Sequence, residues 1–144
     1  MNTRVLPLSG SLPQALAGTV GVFGLSLGVA GLAHGGSGHP FLGITNEAFL
    51  GLTLNHAHNL LHLIVGVAGL AVMRSLRASR AFGYVLFVFF MVEVLVGLVA
   101  FLLPQWNPLG VNEVGNLMHW LLAVVGLTIA WGPEHMSVPR RRRR

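Results

Sequence analysis

Asparagine, leucine and histidine recur in the same order at two places in the chain. One copy begins at Asn55 and reads NHAHNLLH, and the other begins at Asn112 and reads NEVGNLMH. Both copies follow the pattern N-x3-N-L-x-H-x6-G-L. Each residue of the second copy is separated from its counterpart by the same number of residues that separates His119 from His62. Imidazole and carboxamide groups can hydrogen-bond to one another or ligate a metal or cofactor. The repeat therefore marks residues able to carry chemistry and predicts an internal duplication.

Helical spacing places the polar residues of each copy on one face of a helix. Steps of four, three, four and three residues connect Asn55, Asn59, His62, Gly66 and Gly69. The same steps connect Asn112, Asn116, His119, Ala123 and Gly126. Residues at these intervals share a helix face. If the helices span a membrane, this face must point into the protein, because lipid offers polar atoms no hydrogen bonds.

Glu93 is the acidic residue that lies inside an apolar run. At 1.5 Å per residue, Glu93, His62 and His119 all lie about 18–20 Å from the arginine-rich end of their helices. A buried ionised carboxylate is costly, so Glu93 should be protonated or partnered. We predict a hydrogen bond from Glu93 to His62 or His119. The predicted polar intramembrane cluster consists of Asn59, His62, Glu93, Asn116 and His119.

The sequence leaves four interpretations of this cluster open. The polar groups can satisfy one another and fix the register of the repeats, which is a structural role. His62 and His119, on related helices at equal depth, can ligate a haem or a chlorophyll. Glu93 beside histidine is also typical of a proton or ion path.

Metal binding is the fourth interpretation. His58 and His62 are four residues apart and can chelate a metal on one helix face. A histidine near the loops would supply a further ligand, and the candidates there are His34, His39 and His56. Because the second copy has Gly115 in place of His58, this metal site would not belong to the duplication.

The composition is that of a membrane protein. The chain is 53% hydrophobic and 9% charged, whereas soluble domains are roughly 25% charged. It contains no cysteine, lysine or aspartate, which excludes thiolate sites, a phosphate-binding loop lysine and an aspartate-containing triad. We therefore predict a protein that is not an enzyme.

Four apolar runs predict four transmembrane helices, at about residues 12–33, 50–73, 82–103 and 114–131. Glycines at helical spacing in the first run predict close helix packing: Gly21, Gly24, Gly28, Gly31 and Gly35. The expected fold is all-α, an integral membrane four-helix bundle built from two repeated helical hairpins. It forms a single transmembrane domain with a basic tail at residues 134–144.

The arginines predict the orientation in the membrane. All of them fall at the chain ends or between the second and third runs, which places both termini in the cytoplasm. Five close the chain and should bind anionic lipid headgroups: Arg140, Arg141, Arg142, Arg143 and Arg144. This membrane pattern argues against a nucleic-acid partner.

The run from His58 to Leu70, together with Asn116-Leu117-Met118-His119, resembles the bacterial four-span membrane proteins of the domain-of-unknown-function family DUF4383. The resemblance covers roughly residues 15–130. It implies a multi-pass protein of the bacterial inner (plasma) membrane and implies no activity. Together with the composition, it favours a non-enzymatic accessory or structural subunit of a membrane complex, with other membrane subunits as possible partners.

Overall fold

The computed structural model describes residues 11–35, 40–45 and 48–134. Four α-helices make up most of this region, α1 (Leu12–Gly35), α2 (His56–Val72), α3 (Leu76–Leu102) and α4 (Glu113–Trp131). No strand occurs in the ranges described, and an isolated bridge joins Phe49 to Leu52. The helices pack as two hairpins, α1 with α2 and α3 with α4. The predicted all-α membrane bundle of two hairpins is confirmed.

The four helices form a bundle with one long and one short diagonal. Backbone contacts join α1 to α4 and α2 to α3, and α1 also approaches α3. No such contact joins α2 to α4 in the described chain. These two helices carry the repeated histidines, so they can meet only through long side chains that cross the bundle interior.

Glycines determine how closely the helices of each hairpin approach. A methyl group at Gly24 of α1 would lie 2.8 Å from the His62 carbonyl oxygen, and one at Gly69 of α2 would lie 2.7 Å from the Ala17 carbonyl oxygen. In the second hairpin, Gly83 and Gly126 make the corresponding backbone contact. Close packing of this kind drives helix association where lipid is as apolar as the side chains.

The surface of the bundle is apolar along its length. Large side chains such as Val29, Ile64, Val85 and Leu117 are exposed on different helices. In water such a surface would be an aggregation hazard, whereas in a bilayer it is the lipid contact. Three helices are long and apolar enough to cross a membrane, namely α1, α3 and α4.

Helix α2 has 17 residues and begins later than the second apolar run, which was expected to start near residue 50. Leu50 and Gly51 have positive φ angles of 54° and 80°, so the backbone turns there. Asn55 then caps α2 from an extended conformation. At 1.5 Å per residue α2 is about 26 Å long, near the lower limit for a membrane-spanning helix.

The two ends of the bundle differ in charge. We call the end with the α2–α3 connection the arginine end, because it carries Arg74, Arg77 and Arg80. There Arg80 contacts Glu134 at 3.3 Å and donates to the Gly132 carbonyl at 3.3 Å. We call the opposite end, with the α1–α2 and α3–α4 connections, the loop end. Arg4 and the predicted lipid-binding tail, Arg140 to Arg144, lie outside the described residues.

The glycine contacts give a direct test of the packing. In Gly24→Ala the added methyl group meets α2 backbone atoms that cannot move independently, the His62 oxygen at 2.8 Å and the Gly66 nitrogen at 3.0 Å. We expect overpacking to lower the free energy of unfolding by about 1–3 kcal/mol. Unfolding of the detergent-solubilised protein, followed by circular dichroism, measures this change.

Gly18→Ala is the matched control on the same helix. Its methyl group would meet the terminal carbon of Met73 at 3.0 Å, the flexible end of a side chain. Because alanine is about 1 kcal/mol better than glycine inside a helix, we expect stability to be unchanged or higher. Equal losses in the two variants would contradict the close-packing account.

Candidate metal centre

The loop end positions the candidate site through two equivalent asparagine caps. Asn55 accepts a hydrogen bond from the His58 amide, and Asn112 accepts one from the Gly115 amide, each at 2.9 Å. Side-chain oxygens at the N-cap satisfy amides that have no partner within the helix. The two caps stand at matching positions of the repeat, so the sequence pattern corresponds to equivalent local structure.

Asn55 also ties the two hairpins together. Its side-chain nitrogen donates to the carbonyl oxygens of Gly43 and Pro108, at 3.0 and 2.8 Å. The Gly43 amide donates to the same Pro108 oxygen at 2.7 Å. One fully buried side chain therefore joins α2, the first connection and the second connection, and it fixes the loop that follows α3.

That loop orients His58. The Nδ1 atom of His58 lies 3.1 Å from the Leu109 carbonyl oxygen. Since a carbonyl oxygen can only accept, Nδ1 carries the proton and donates it. In the neutral imidazole the lone pair is then on Nε2, which points into the bundle interior.

His58 and His119 meet across the bundle. Their Nε2 atoms are 3.1 Å apart. Because Nε2 of neutral His58 accepts, Nε2 of His119 must donate. This contact connects α2 with α4, the two helices that share no backbone contact in the described chain.

His62 completes a cluster of three imidazoles. Its ring stacks on that of His58, with centroids 4.9 Å apart and planes 12° from parallel. One ring nitrogen from each of His58, His62 and His119 lies within 4.8 Å of the other two. All three side chains are buried, with 2%, 3% and 0% of their surface exposed. The structure thus gathers three nitrogen donors in a space closed to solvent.

Polar atoms around this cluster lack partners. The Nδ1 atom of His119 and the Nε2 atom of His62 are buried and make no hydrogen bond within the described chain. Buried polar atoms usually have partners, and an exception is often explained by an ion or ligand. At Nε2 of His62 the cluster therefore lacks an interaction that a bound cation would provide.

The structure agrees with the sequence prediction for Glu93 in its burial and disagrees in its hydrogen bonding. Its side chain is buried, so it points into the protein. The predicted hydrogen bond to His62 or His119 is wrong, because no hydrogen bond in the described chain joins Glu93 to either histidine and its Oε2 atom is buried without a partner. Phe90, one turn away on α3, takes the contact with His119 instead, with ring centroids 5.5 Å apart.

The two asparagines of the predicted cluster pack in equivalent ways. A methyl group at Gly31 would overlap the Asn59 amide, and one at Gly97 would overlap the Asn116 amide. Both amide atoms of Asn59 and the oxygen of Asn116 make no hydrogen bond in the part described. These residues lie at the interface within each hairpin and not among the three imidazoles.

The other candidate ligands that the structure describes, His34 and His56, do not join the cluster. His34 is exposed and its ring lies 5.2 Å from that of Phe49. His56 is partly buried, and His39 lies outside the described residues. The metal interpretation expected a loop-end histidine beside His58 and His62, but the third imidazole comes from His119 of the repeat.

The space around the three imidazoles limits the size of a ligand that could bind there. A groove of about 690 Å³ lies between α3 and α4, lined by Gly97, Asn116 and Trp120 among others, and none of the three histidines lines it. The centroids of His62 and His119 are 6.3 Å apart, and His58 contacts both rings. A flat macrocycle between His62 and His119 would have to displace His58.

Comparison with known proteins identifies the family of this membrane bundle. The model of DUF4383, a domain of unknown function, matches residues 14–132. The chain belongs to this family. No curated protein and no solved structure matches it.

The asparagine caps provide a test of how the loop end is held. Asn55→Ala removes the cap of α2 and the donor to the Gly43 carbonyl oxygen, and it leaves the Pro108 oxygen with the Gly43 amide alone. We expect a loss of about 2–4 kcal/mol in the free energy of unfolding. Unfolding in detergent, monitored by circular dichroism, measures this loss.

Asn112→Ala is the repeat-related control. Asn112 also caps its helix, but its side-chain nitrogen makes one bond, to the exposed Gly51 carbonyl at 2.8 Å. We expect a smaller loss of about 1 kcal/mol. If Asn112→Ala were as damaging as Asn55→Ala, the bridging role of Asn55 would be refuted.

Proposed function

We propose that this membrane protein binds a transition-metal ion through His58, His62 and His119. The single observation that carries the proposal is the convergence of three buried imidazole nitrogens within 4.8 Å of one another. Neutral imidazole is a ligand for zinc, copper, iron and nickel. No other buried cluster of three such donors is found among the described residues.

The distances support a shared ion. Metal–nitrogen bonds of about 2.0–2.1 Å at a tetrahedral angle separate two ring nitrogens by about 3.3 Å. The Nε2 atoms of His58 and His119 are 3.1 Å apart, so their separation would change little, and each ring would turn to direct its lone pair at the ion. The proton now on Nε2 of His119 would move to Nδ1, which has no partner in the described chain.

The surroundings of His58 also support this function. Metal-ligating histidines usually donate their other ring proton to a carbonyl or carboxylate, which fixes the tautomer and the ring orientation. His58 makes this bond to Leu109. The lone pair on Nε2 of His58 points at Nε2 of His119, 3.1 Å away, as expected of a nitrogen that can accept a metal ion.

A single ion agrees with the described space better than haem or chlorophyll does. Either macrocycle would require removal of His58, whose ring contacts those of His62 and His119. The ion would instead cross-link α2 and α4, which contact each other only through side chains. We infer an accessory or structural role for the loaded protein, as a subunit of a membrane complex and not as an enzyme.

We further propose that the protein lies in the bacterial plasma membrane with both termini in the cytoplasm. The described arginines Arg74, Arg77 and Arg80 lie at the same end of the bundle as the beginning of α1 and the end of α4. Positive charge is retained on the cytoplasmic side. Residues 140–144 would then lie against anionic lipid headgroups, each contributing about 1 kcal/mol of binding.

Metal content provides the test. Protein purified in detergent without chelators should carry one transition-metal ion per chain by elemental mass spectrometry. His119→Ala and His58→Ala each remove a ligand and should reduce affinity by more than the roughly 10–100-fold expected for loss of an outer-shell partner. Their metal content should therefore fall to background.

His34→Ala is the control, because His34 is exposed and contacts Phe49 outside the cluster. Its metal content should equal that of the unaltered protein. Wild-type protein that neither retains nor takes up zinc, copper, nickel or iron would refute the proposed function.

A proton or ion path through Glu93 is the second candidate. The observation that favours it is a buried carboxyl group with one oxygen lacking a partner in the described chain. Intramembrane carboxylic acids are typical of proton relays.

In proteoliposomes under an imposed membrane potential, proton uptake should be lost in Glu93→Gln because the amide cannot exchange a proton. Glu113→Gln should retain uptake, since Glu113 is exposed at the start of α4. Absence of uptake by the unaltered protein would eliminate this candidate.

A further inference from the structure

We propose that the three-histidine site selects monovalent copper, Cu(I), over divalent ions. This inference rests on the proposed function and specifies in addition the charge of the ion and the number of its ligands. It follows from two properties of the site, its neutral ligands and its closure to water, and from the single acidic group buried elsewhere in the described bundle.

The ligand set contributes no charge. Three neutral imidazoles provide the nitrogens, and the chain has no cysteine that could contribute a thiolate. No carboxylate belongs to the group of donors within 4.8 Å. The charge of the ion would therefore remain fully on the site. Since the cost of burying an ion rises with the square of its charge, a divalent ion costs about four times as much as a monovalent one.

Closure of the site limits the number of ligands. The three side chains are at most 3% exposed, and the Leu109 carbonyl is occupied by the His58 proton. Zinc prefers four ligands and normally completes a three-histidine site with water. Monovalent copper is stable with three ligands, so it needs no water molecule in this interior.

Glu93 offers one compensating charge. It is the one acidic residue classed as buried in the described chain, because Glu113 and Glu134 are exposed. Glu93 shares its helix face with Phe90, whose ring contacts that of His119. Ionised Glu93 would balance one positive charge and leave the interior neutral with Cu(I). A divalent ion would leave one buried charge uncompensated.

The test compares affinities in the full-length protein in detergent. Apoprotein is titrated anaerobically with Cu(I), kept reduced by ascorbate, against a chromophoric Cu(I) chelator. Parallel titrations use Zn(II) and Ni(II) with their own competing chelators. We expect Cu(I) to bind at least about a hundredfold more tightly than either divalent ion. X-ray absorption of the copper-loaded protein should show three nitrogen neighbours and no fourth ligand.

Variants of Glu93 test the compensating charge. Glu93→Gln keeps the size and removes the charge, so it should weaken Cu(I) binding by about tenfold. Glu93→Asp keeps the charge and should restore most of the affinity. Glu113→Gln, at an exposed position, should leave Cu(I) binding unchanged.

The outcomes separate this inference from the function on which it rests. Zinc or nickel binding as tight as that of Cu(I), with loss in His119→Ala, would overturn the selectivity and leave the metal site standing. A fourth ligand on the bound copper would likewise overturn the three-coordinate site. Binding of none of the ions would overturn both proposals. Equal Cu(I) affinities of wild type and Glu93→Gln would refute the role of Glu93.

Discussion

Lipid gives polar side chains no water to bind, and this constraint governs the arrangement of the bundle. A polar atom on a membrane-spanning helix must find its partner inside the protein. The interior here is narrow because glycines bring the helices of each hairpin into backbone contact. The histidines therefore lie against one another, and the asparagines of the repeat lie against glycine backbone. The first placement gives His58 and His119 a shared hydrogen bond, whereas the amide of Asn59 makes none in the described chain.

The sequence predicted the fold from a few regularities. The spacing of Asn55, Asn59 and His62 correctly placed these residues on a buried face. In the second half His119 is buried, and the two asparagines at the matching positions are partly buried. The glycines of α1 likewise predicted close packing, which Gly24 and Gly28 show directly. These features are periodic along a helix, so they can be recognised without knowing how the helices are arranged.

The composition of the site was harder to predict because it depends on the distance between helices. A hydrogen bond from Glu93 to His62 or His119 was predicted only because the three residues lie at a similar depth in the membrane. Depth fixes the position of a residue along the helix axis but not the rotation of the helix, and Phe90 occupies the place beside His119.

The pairing of His58 with His119 was missed for a related reason. His58 lies one helical turn before His62, the residue that matches His119 in the repeat. The repeat therefore gave no reason to pair His58 with His119, which meet across the long diagonal of the bundle. Gly97 also escaped notice as the counterpart of Gly31, because the connection within the first hairpin is longer than that within the second.

The exchange of His58 for Gly115 between the two copies has a consequence for the origin of the cluster. Two identical hairpins assembled around a two-fold axis would contribute equal sets of imidazoles, so the total would be even. Three donors arise only when the halves differ, and halves of one polypeptide can diverge independently while subunits from one gene cannot. An odd-numbered set of imidazoles of this kind is thus accessible to two hairpins joined in one chain and closed to a symmetric dimer of identical hairpins.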